Sequence, residues 1–261
     1  MKIFLSEYRH DYKTYTFGYT IYGLYESRMD LDLLYCQGFL PYTGNLKIDY
    51  DLFYKSRGLR IDLNNFSDTS ENRRVNRKTE TLQIQLTIHP IESFTDWDAY
   101  FEFANRYSEQ RIGEDKMPTQ RLEYITSRKY LTHILTFTSN EKVVGYVLAV
   151  LNHNLFHYWF GFYDTALLEK NIPIGKWMMW RCIHFAKESG CQYIYLGNGY
   201  LETSLYKTRD FKAIEFYDGN QWNKELDLLH SLCNQDKELR ELDDFKMIDN
   251  INLWITEKII H

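Results

Sequence analysis

The stretch that decides the fold is LFHYWFGFYD, residues 155–164, together with YIYLG at residues 193–197. Both runs are apolar and aromatic, and both have the length of buried strands. Between them, residues 176–189 have the spacing of a helix, with Pro173 placed to start it and Gly190 placed to end it. Two buried strands on either side of one helix predict a β-α-β crossover, with any chemistry at the strand ends.

The residues before this stretch extend it into a larger sheet. Residues 130–138 and 142–150 are predicted strands, and the short Ser139-Asn140-Glu141 connection predicts that they form a hairpin. Residues 155–163 would then be the next antiparallel strand. A last strand is predicted over residues 211–217.

Further upstream, the pattern alternates between strand and helix. Apolar and polar side chains alternate over residues 82–88, which predicts a half-buried strand. Ser93-Phe94-Thr95-Asp96 is similar to a capping box and precedes a helical stripe. A second helix is expected from Pro118 to Ser127.

The two ends of the chain are less regular. Residues 1–27 are dense in Tyr, Thr and Phe, and they predict short strands or an irregular packed arm. Residues 29–37 predict a helix that ends at Gly38, and residues 57–63 predict a strand. Residues 224–244 predict an amphipathic helix that packs on the body or binds a partner, with the stripe Leu226, Leu229, Leu232 and Leu239.

From about residue 91 to residue 217 the order is helix, helix, three strands, helix and two strands. That order matches the plan of the Gcn5-related N-acetyltransferase (GNAT) fold, a mixed α+β architecture with a central sheet flanked by helices. We expect a smaller N-terminal region over residues 1–90, a GNAT-like catalytic domain over residues 91–222 and a C-terminal helical extension over residues 223–261. A likeness of fold gives no function by itself.

Composition limits the classes of protein and the cellular location that are expected for this chain. The chain has 261 residues, of which 44% are hydrophobic, so a sizeable core is expected. A net charge of −5 argues against a DNA-coating protein. The four cysteines form no C-x-x-C pair, so no metal or iron–sulfur site is expected. Without an apolar run of membrane-spanning length or a signal-peptide pattern, we expect a cytoplasmic protein with no membrane contact.

One segment is strongly basic in this acidic chain. Residues 70–78, SENRRVNRK, carry four cations, Arg73, Arg74, Arg77 and Lys78. Charge alone leaves two interpretations open, a solvated loop or helix start and a phosphate-binding patch.

The start of the crossover helix is a second candidate binding site. The amides around Ile174, Gly175 and Lys176 would begin the helix and could face a phosphate. Coenzyme A sites of the GNAT fold usually show Arg or Gln, two residues, Gly, one residue, then Gly or Ala. NIPIGKW, residues 171–177, lacks that glycine-rich form.

Several short motifs together resemble the arginyl- and leucyl-tRNA–protein transferases. In the C-terminal half these motifs are FYD at 162–164, IGKWM at 174–178, YIYLG at 193–197 and YK at 206–207. In the N-terminal half they are GF at 38–39, RID at 60–62 and SENRRV at 70–75. The resemblance is collinear from about residue 34 to residue 222.

The chain also departs from that family. The family's N-terminal domain normally carries cysteines, which in some members hold an iron–sulfur cluster, and residues 15–19 and 51–57 contain none. Leu40-Pro41 replaces an Arg-Arg pair, and Thr203-Ser204-Leu205 replaces a Lys-Met element. Cluster-based regulation is therefore not expected.

The resemblance implies an enzyme that moves an amino acid, arginine or leucine, from charged tRNA to the N-terminal α-amine of a protein or peptide. The implied acceptor is of the N-degron type, which typically begins with an acidic residue. The donor is already an activated ester, so no cofactor or metal is implied beyond the aminoacyl-tRNA itself. Such an enzyme must hold the amine near the ester, keep it unprotonated and stabilise the oxyanion.

The same resemblance implies roles for four residues in the reaction. Asp164 would orient or deprotonate the amine or bind the donor's amino group, although a cap on the following turn fits it as well. Tyr163, Tyr206 and Lys207 would hydrogen-bond the oxyanion, the terminal adenosine or its phosphate. His157 alternates within an apolar strand and is expected to be structural.

The resemblance also implies binding roles for three further groups of residues. The cations Arg73, Arg74, Arg77 and Lys78 would contact tRNA phosphates or an acidic acceptor residue. Gly175 and Lys176 would face a phosphate at the helix start. Gly197 and Asn198 would let the backbone approach the ligand closely, although an ordinary turn explains them equally well.

Two other functions stay open. The same fold serves N-acyltransferases that use coenzyme A, with acetyl-coenzyme A as co-substrate, although the poor coenzyme A motif argues against this one. The third interpretation is a catalytically silent relative that binds N-termini or tRNA, and the lost Arg-Arg and Lys-Met elements keep this interpretation open.

Overall fold

The computed structural model of the chain describes residues 1–113, 117–236 and 250–259. Its contacts form two compact units. We call the first the crossover unit, made of Leu59–Gly197 and Tyr206–Glu215. The second, the terminal unit, consists of Met1–Gly58, Asn198–Leu205 and the described residues from Phe216 onward.

The elements of the described residues are as follows in chain order. The helices are α1 (Asp30–Cys36), α2 (Ser70–Thr79), α3 (Trp97–Arg111), α4 (Thr119–Thr126), α5 (Ala166–Glu169), α6 (Ile174–Glu188), α7 (Tyr206–Asp210), α8 (Leu226–Gln235) and α9 (Ile251–Ile259). The strands are β1 (Lys2–Asp11), β2 (Thr16–Leu24), β3 (Phe39–Pro41), β4 (Leu52–Lys55), β5 (Gly58–Asp62), β6 (Gln85–Pro90), β7 (His133–Ser139), β8 (Lys142–Leu151), β9 (Leu155–Tyr163), β10 (Tyr193–Asn198), β11 (Ile214–Tyr217) and β12 (Trp222–Asn223).

The terminal unit is built on a four-stranded antiparallel sheet in the order β1-β2-β4-β3. β1 and β2 form one long hairpin, where the sequence predicted short strands or an irregular arm. The Tyr, Thr and Phe residues of this segment are good strand formers, and Tyr15 turns the chain with φ at 53°. Phe4 and Tyr22 stack with ring centroids 5.2 Å apart, and apolar residues of α9 complete their core.

The crossover unit is built on a mixed sheet in the order β11-β5-β10-β9-β8-β7-β6. β6, β7, β8 and β9 are antiparallel neighbours, and the β7–β8 turn holds Asn140 and Glu141 at φ 48° and 63°. β10 lies parallel to β9, and α6 is the crossover between them. These findings confirm the predicted hairpin, the third antiparallel strand, the β-α-β crossover and the mixed α+β fold class.

Different helices cover the two faces of β8 and β9. Tyr146 and Phe162 lie opposite each other on one face and pack against Tyr100 of α3, with ring centroids 5.4 and 5.8 Å from it. Gly145 lies on the other face, in contact with α6. Because side chains alternate along a strand, Tyr163, which pairs with Gly145, also faces α6.

The crossover helix begins and ends where the sequence predicts. Pro173 is its N-cap residue, and Gly190 follows its last turn in the left-handed conformation that favours glycine. Trp177, Met178 and Cys182 are buried on its inner face, as their spacing predicted. This fixes the start of α6 beside the end of β9.

Two local predictions are wrong. Residues 82–88 do not form one strand, because a 3-10 turn covers Glu80–Leu82, Gln83 is left-handed at φ 47° and β6 begins only at Gln85. The capping box ahead of α3 is also not formed. Asp96 is the N-cap residue, and its side chain makes no capping hydrogen bond within the described chain.

The predicted C-terminal helix is confirmed at its start. α8 carries Leu229 into the core, and it ends at Gln235. Residues 237–249, which include Leu239 of the predicted stripe, lie outside the described residues. Among the helices that the structure describes, none has the length and apolar character needed to cross a membrane.

Candidate functional site

The carboxyl ends of β9 and β10 part from each other. The two strands pair in parallel at three positions, from Leu155 with Tyr193 to His157 with Tyr195. Beyond this point β9 continues to Tyr163 along β8 with a bulge, and it makes no further pairs with β10 in the described chain. In mixed sheets, ligands bind where strands separate against the start of a helix. We therefore take this opening as the candidate site.

The side chain of Lys207 is buried at this opening. Its Nζ donates to the carbonyl oxygen of Leu196, 2.7 Å away, just past the last β9–β10 pair. Gly197 lies next to it, where a Cβ would be 3.9 Å from Nζ. Burial lowers the pKa of Lys207 to about 8. A group with this pKa can hold and release a proton near neutral pH, as general acid–base chemistry requires.

His157, on β9, is within electrostatic reach of Lys207. Burial, and to a smaller degree the charge of Lys207, lowers the pKa of His157 to about 3. The imidazole is therefore neutral at physiological pH. The structural role that the sequence suggested for His157 stays a prediction.

Three tyrosines meet at the end of β9. The Tyr163 ring covers Gly175 in the first turn of α6, where a Cβ would lie 2.5 Å from the ring. The centroid of the same ring is 4.8 Å from that of Tyr107 in α3. Burial, and then the neighbouring Tyr163 and Asp210, raises the pKa of Tyr206 to about 12. A phenol that stays protonated can donate a hydrogen bond to an oxyanion.

Asp164 caps the turn that follows β9. Its Oδ1 accepts a hydrogen bond from the backbone N–H of Ala166 at 3.0 Å. Its Oδ2 has no hydrogen bond to the described residues, and the carboxylate lines a cavity of about 270 Å³. The capping role therefore uses one oxygen and leaves the other for a ligand, so the two interpretations of Asp164 are compatible.

Lys176 is held by two carboxylates at the start of α6. Its Nζ lies 2.9 Å from Oδ2 of the buried Asp210 and 3.1 Å from Oε1 of Glu71. Asp210 also pairs with Arg209 at 2.9 Å. The hydrogen bond from Arg74, together with Lys176, lowers the pKa of Glu71 to about 2. The charge of Lys176 is thus largely neutralised, and its phosphate-binding role stays a prediction.

The basic segment forms α2, so its charges lie on a helix. Thr69 and Asn72 form a capping box at the start of this helix. α2 packs on α6, where the indole N–H of Trp177 donates to Oδ1 of Asn76 at 3.1 Å. The four cations of α2 are all exposed.

The four cations of α2 differ in how far they are already engaged. Arg74 makes two hydrogen bonds to Glu71, at 2.6 and 2.7 Å, and Arg73 donates to a backbone carbonyl at 3.0 Å. Arg77 and Lys78 are exposed and make no ion pair with the residues that the structure describes. These two have the most charge available for a partner.

Gly197 and Asn198 belong to different units. Gly197 is the last residue of the first segment of the crossover unit. Its φ of 80° is left-handed, so a glycine is favoured there. Asn198 lies in the terminal unit, where its Nδ2 donates to the hydroxyl of Tyr54 at 2.6 Å. Within the crossover unit, the predicted site residues that surround the end of β9 and the start of α6 are Tyr163, Asp164, Gly175, Lys176, Tyr206 and Lys207.

Sequence reasoning missed three residues beside this site. Tyr107 belongs to an apolar stripe of α3, and such a stripe is indistinguishable from core packing in the sequence. Glu71 and Asp210 act through tertiary contacts with α6, and nothing near them in the sequence marks that role. Only the folded arrangement reveals these neighbours.

Comparison with family models gives one match. Residues 69–211, more than half of the chain, match the model described as an acetyltransferase (GNAT) domain. The match spans α2, the β6–β9 meander, the crossover and α7, so it contains the candidate site. No curated protein sequence matches the chain significantly.

Solved structures resemble the chain only distantly. The C-terminal domain of a putative lysylphosphatidylglycerol synthetase from Agrobacterium fabrum is 11% identical over 68% of this chain and 54% of its own, with a TM-score of 0.41. The L-PGS structure from Bacillus licheniformis is 13% identical over 67% and 51%, at 0.40, and FemX is 11% identical over 89% and 65%, at 0.39. The chain spans about half the length of the first two structures.

Proposed function

We propose a specific reaction for this chain, which belongs to the GNAT acetyltransferase-domain family and is a transferase of that type. The proposed reaction moves an aminoacyl group, arginine or leucine, from charged tRNA to the N-terminal α-amine of a protein or peptide. The observation that carries the proposal is Lys207, buried with a lowered pKa where β9 and β10 part. The motifs at residues 162–164 and 206–207, which resemble those of the aminoacyl-tRNA–protein transferases, fall at this same point.

The start of α6 favours an aminoacyl ester over coenzyme A as donor. A pyrophosphate binds best at a helix start that has free amides and no carboxylates beside it. Here the carboxylates of Glu71 and Asp210 flank the first turn and already hold Lys176. The tyrosine ring over Gly175 also occupies the space directly above the turn.

The proposed chemistry needs one proton given and one proton taken. The bound α-ammonium first releases one proton to solvent. The neutral amine nitrogen then attacks the ester carbonyl carbon, the new C–N bond forms, and the bond to the 3′ ribose oxygen breaks. Lys207 donates its proton to the leaving oxygen, and Asp164 accepts the proton that the nitrogen loses. Solvent returns a proton to Lys207 and removes one from Asp164. The products are an amide and a ribose hydroxyl, so no redox partner or covalent enzyme intermediate is required.

The same geometry supports a means of stabilising the transition state. The phenol of Tyr206, whose pKa is raised to about 12, stays protonated. The phenol of Tyr163 lies beside the first turn of α6 at the end of β9. Each can donate a hydrogen bond to the oxyanion that forms at the ester carbon. A single donor of this kind contributes on the order of 10²–10³ to the rate in known acyl transfer enzymes.

The test of this proposal is single-turnover transfer. The protein is incubated with isotope-labelled arginyl- and leucyl-tRNA and with peptides that begin with Asp, Glu, Arg, Lys or Leu. We expect labelled peptide with one donor and at least about a tenfold loss in the variant Lys207→Met. The variant Lys212→Met, which removes an exposed lysine five residues away, serves as the matched control. No transfer from any charged tRNA would refute the proposal.

A second candidate, N-acyl transfer from acetyl-coenzyme A, is favoured by the family description itself. The same peptides and acetyl-coenzyme A, with release of the free thiol as readout, separate the two candidates. Turnover with the thioester and none with charged tRNA would establish the second. Binding of charged tRNA without turnover of either donor would point to the catalytically silent relative.

Substitutions in α2 of the full chain test the binding of tRNA separately from catalysis. The exposed and unengaged pair Arg77 and Lys78 should contribute more than Arg73 and Arg74, whose guanidinium groups are already hydrogen-bonded. We expect the double variant Arg77→Ala and Lys78→Ala to weaken tRNA binding. The slope of the logarithm of the binding constant against the logarithm of the salt concentration should fall by about one for each phosphate contact removed. An unchanged salt slope in this double variant would remove α2 from the tRNA-binding surface.

A further inference from the structure

The cavity beside Asp164 has an aromatic wall. It has a volume of about 270 Å³ and lies between α3 and the turn that follows β9. Phe103 and Tyr107 face it from one side of α3, and Tyr163 faces it from the strand end. Pockets that hold drug-sized ligands usually measure roughly 300–1,000 Å³, so this one fits about one amino-acid residue.

The polar groups of the cavity carry a net negative charge. Asp164 and Glu169 supply two carboxylates on the turn side, and Arg106 supplies one guanidinium on α3. Arg106 lies over the Phe103 ring at 5.3 Å, and its pair with Glu102 is long, at 3.8 Å between well-exposed groups. A ligand with one positive charge and an apolar body matches this lining.

We propose that this cavity binds the N-terminal residue of the acceptor, with the α-ammonium at Oδ2 of Asp164 and an apolar side chain on the aromatic wall. The inference rests on the proposed transfer to an N-terminal amine and names the acceptor that the site selects. Arg106 is placed to donate a hydrogen bond to the first peptide carbonyl oxygen. Tyr163 borders both the cavity and Gly175 of α6, so an amine held here adjoins the transfer site.

The charge of the cavity also decides against one class of acceptor. A peptide that begins with Asp or Glu would bring its side-chain carboxylate next to the carboxylates of Asp164 and Glu169. Like charges in a half-enclosed site repel, and each would be partly desolvated. Acidic N-termini, which the sequence resemblance implied, should therefore bind worse than apolar ones.

The experiment measures binding without any donor. The probes are three tripeptide amides, Leu-Gly-Gly, Asp-Gly-Gly and N-acetyl-Leu-Gly-Gly, and binding to the full chain is followed by saturation-transfer NMR with titration. We expect Leu-Gly-Gly to bind at least about tenfold more tightly than either of the others, because each of them loses or opposes one charge-assisted contact.

Three variants localise the binding. Asp164→Asn keeps an oxygen for the turn cap, so the fold is preserved while the charge is lost, and binding of Leu-Gly-Gly should fall about tenfold. Ala166→Phe places a ring in the cavity from an exposed position and should abolish binding. Glu109→Gln, an exposed carboxylate on α3 away from the lining, is the matched control and should bind normally.

The outcomes separate this inference from the proposed function. Equal binding of the three peptides, or normal binding by Ala166→Phe, would overturn the acceptor cavity whatever the transfer assay shows. Selective binding of Leu-Gly-Gly that is lost in Ala166→Phe would support it even where no donor is turned over. Transfer that prefers acidic N-termini would overturn the cavity while leaving the transferase proposal intact.

Discussion

Replacing Lys207 with methionine should change how the stability of this protein depends on pH. The lysine side chain is buried, and its Nζ donates to the carbonyl oxygen of Leu196 at 2.7 Å. Burial lowers the pKa of Lys207 from 10.5 to about 8 in the folded chain. Methionine has a similar length and no charge, so it keeps most of the packing while it removes the titrating group.

The sign of the effect follows from proton binding. The folded chain binds the Lys207 proton more weakly than the unfolded chain does, so folding is opposed wherever both states are charged. A fall in pKa from 10.5 to about 8 corresponds to about 3 kcal/mol of lost stability below pH 8. This loss disappears as the pH rises from about 8 to 10.5, and the wild type gains stability over that window. The variant lacks the group and gains nothing from it.

Urea unfolding of both proteins, followed by circular dichroism, measures the difference. The free energy of unfolding of the wild type minus that of Lys207→Met should rise by about 3 kcal/mol between about pH 7 and pH 10.5. Other groups titrate in both proteins, so their contributions cancel. Lys212→Met reports the effect of losing an exposed lysine charge. A difference that stays level within about 1 kcal/mol would refute both the buried charge and the proton-donor role derived from it.

Three further changes test the packing around the site. Arg60→Met should lower the free energy of unfolding in urea by about 3–5 kcal/mol, because it leaves Glu215 buried without the guanidinium that contacts it at 2.8 Å. Replacing both residues with apolar ones should recover most of this loss. Gly175→Ala places a Cβ 2.5 Å from the Tyr163 ring, so the ring must move. The single-turnover rate should then fall about tenfold or more, at nearly unchanged stability. An unchanged rate would show that the position of the ring is unimportant. Asp210→Asn should lower the free energy of unfolding by about 3 kcal/mol in thermal or urea unfolding, because the buried carboxylate pairs with the ammonium of Lys176 at 2.9 Å. A loss below about 1 kcal/mol would show that this pair contributes little to stability.

The crossover could be predicted from the sequence because its signals are local. The runs at residues 155–163 and 193–196 have strand length, and Pro173 and Gly190 are typical helix boundaries. Where a local signal was absent, the prediction failed. The strand expected over residues 82–88 is interrupted because Gln83 adopts a left-handed conformation, which side-chain alternation cannot reveal.

The same distinction applies to the site residues. Some of their positions follow from local sequence signals, and others depend on tertiary packing. Asp164 follows directly on a strand end, so its position at the opening could be inferred from the sequence. Lys207 lies on a short helix after β10, and its burial depends on how that helix returns to the sheet. Lys176 begins α6 as predicted, but its pairing with Glu71 and Asp210 depends on the packing of α2 and α7. Sequence patterns therefore placed Asp164 and Lys176 at the ends of their elements, whereas the charge partners of Lys176 depend on tertiary packing.

Among the described residues of the crossover unit, Arg60 and Lys207 are buried cations, and a comparison of the two favours Lys207 for chemistry. Arg60 is buried with the carboxylate of Glu215 at 2.8 Å, and its guanidinium lies 3.6 Å from the centre of the Tyr193 ring, so its charge is well compensated. For Lys207, burial dominates, and the pKa falls accordingly. The lowered pKa means that the buried charge of Lys207 costs about 3 kcal/mol of stability. Costs of this kind persist where function requires them, and here the costly group lies at the strand opening where GNAT-type transfer would occur.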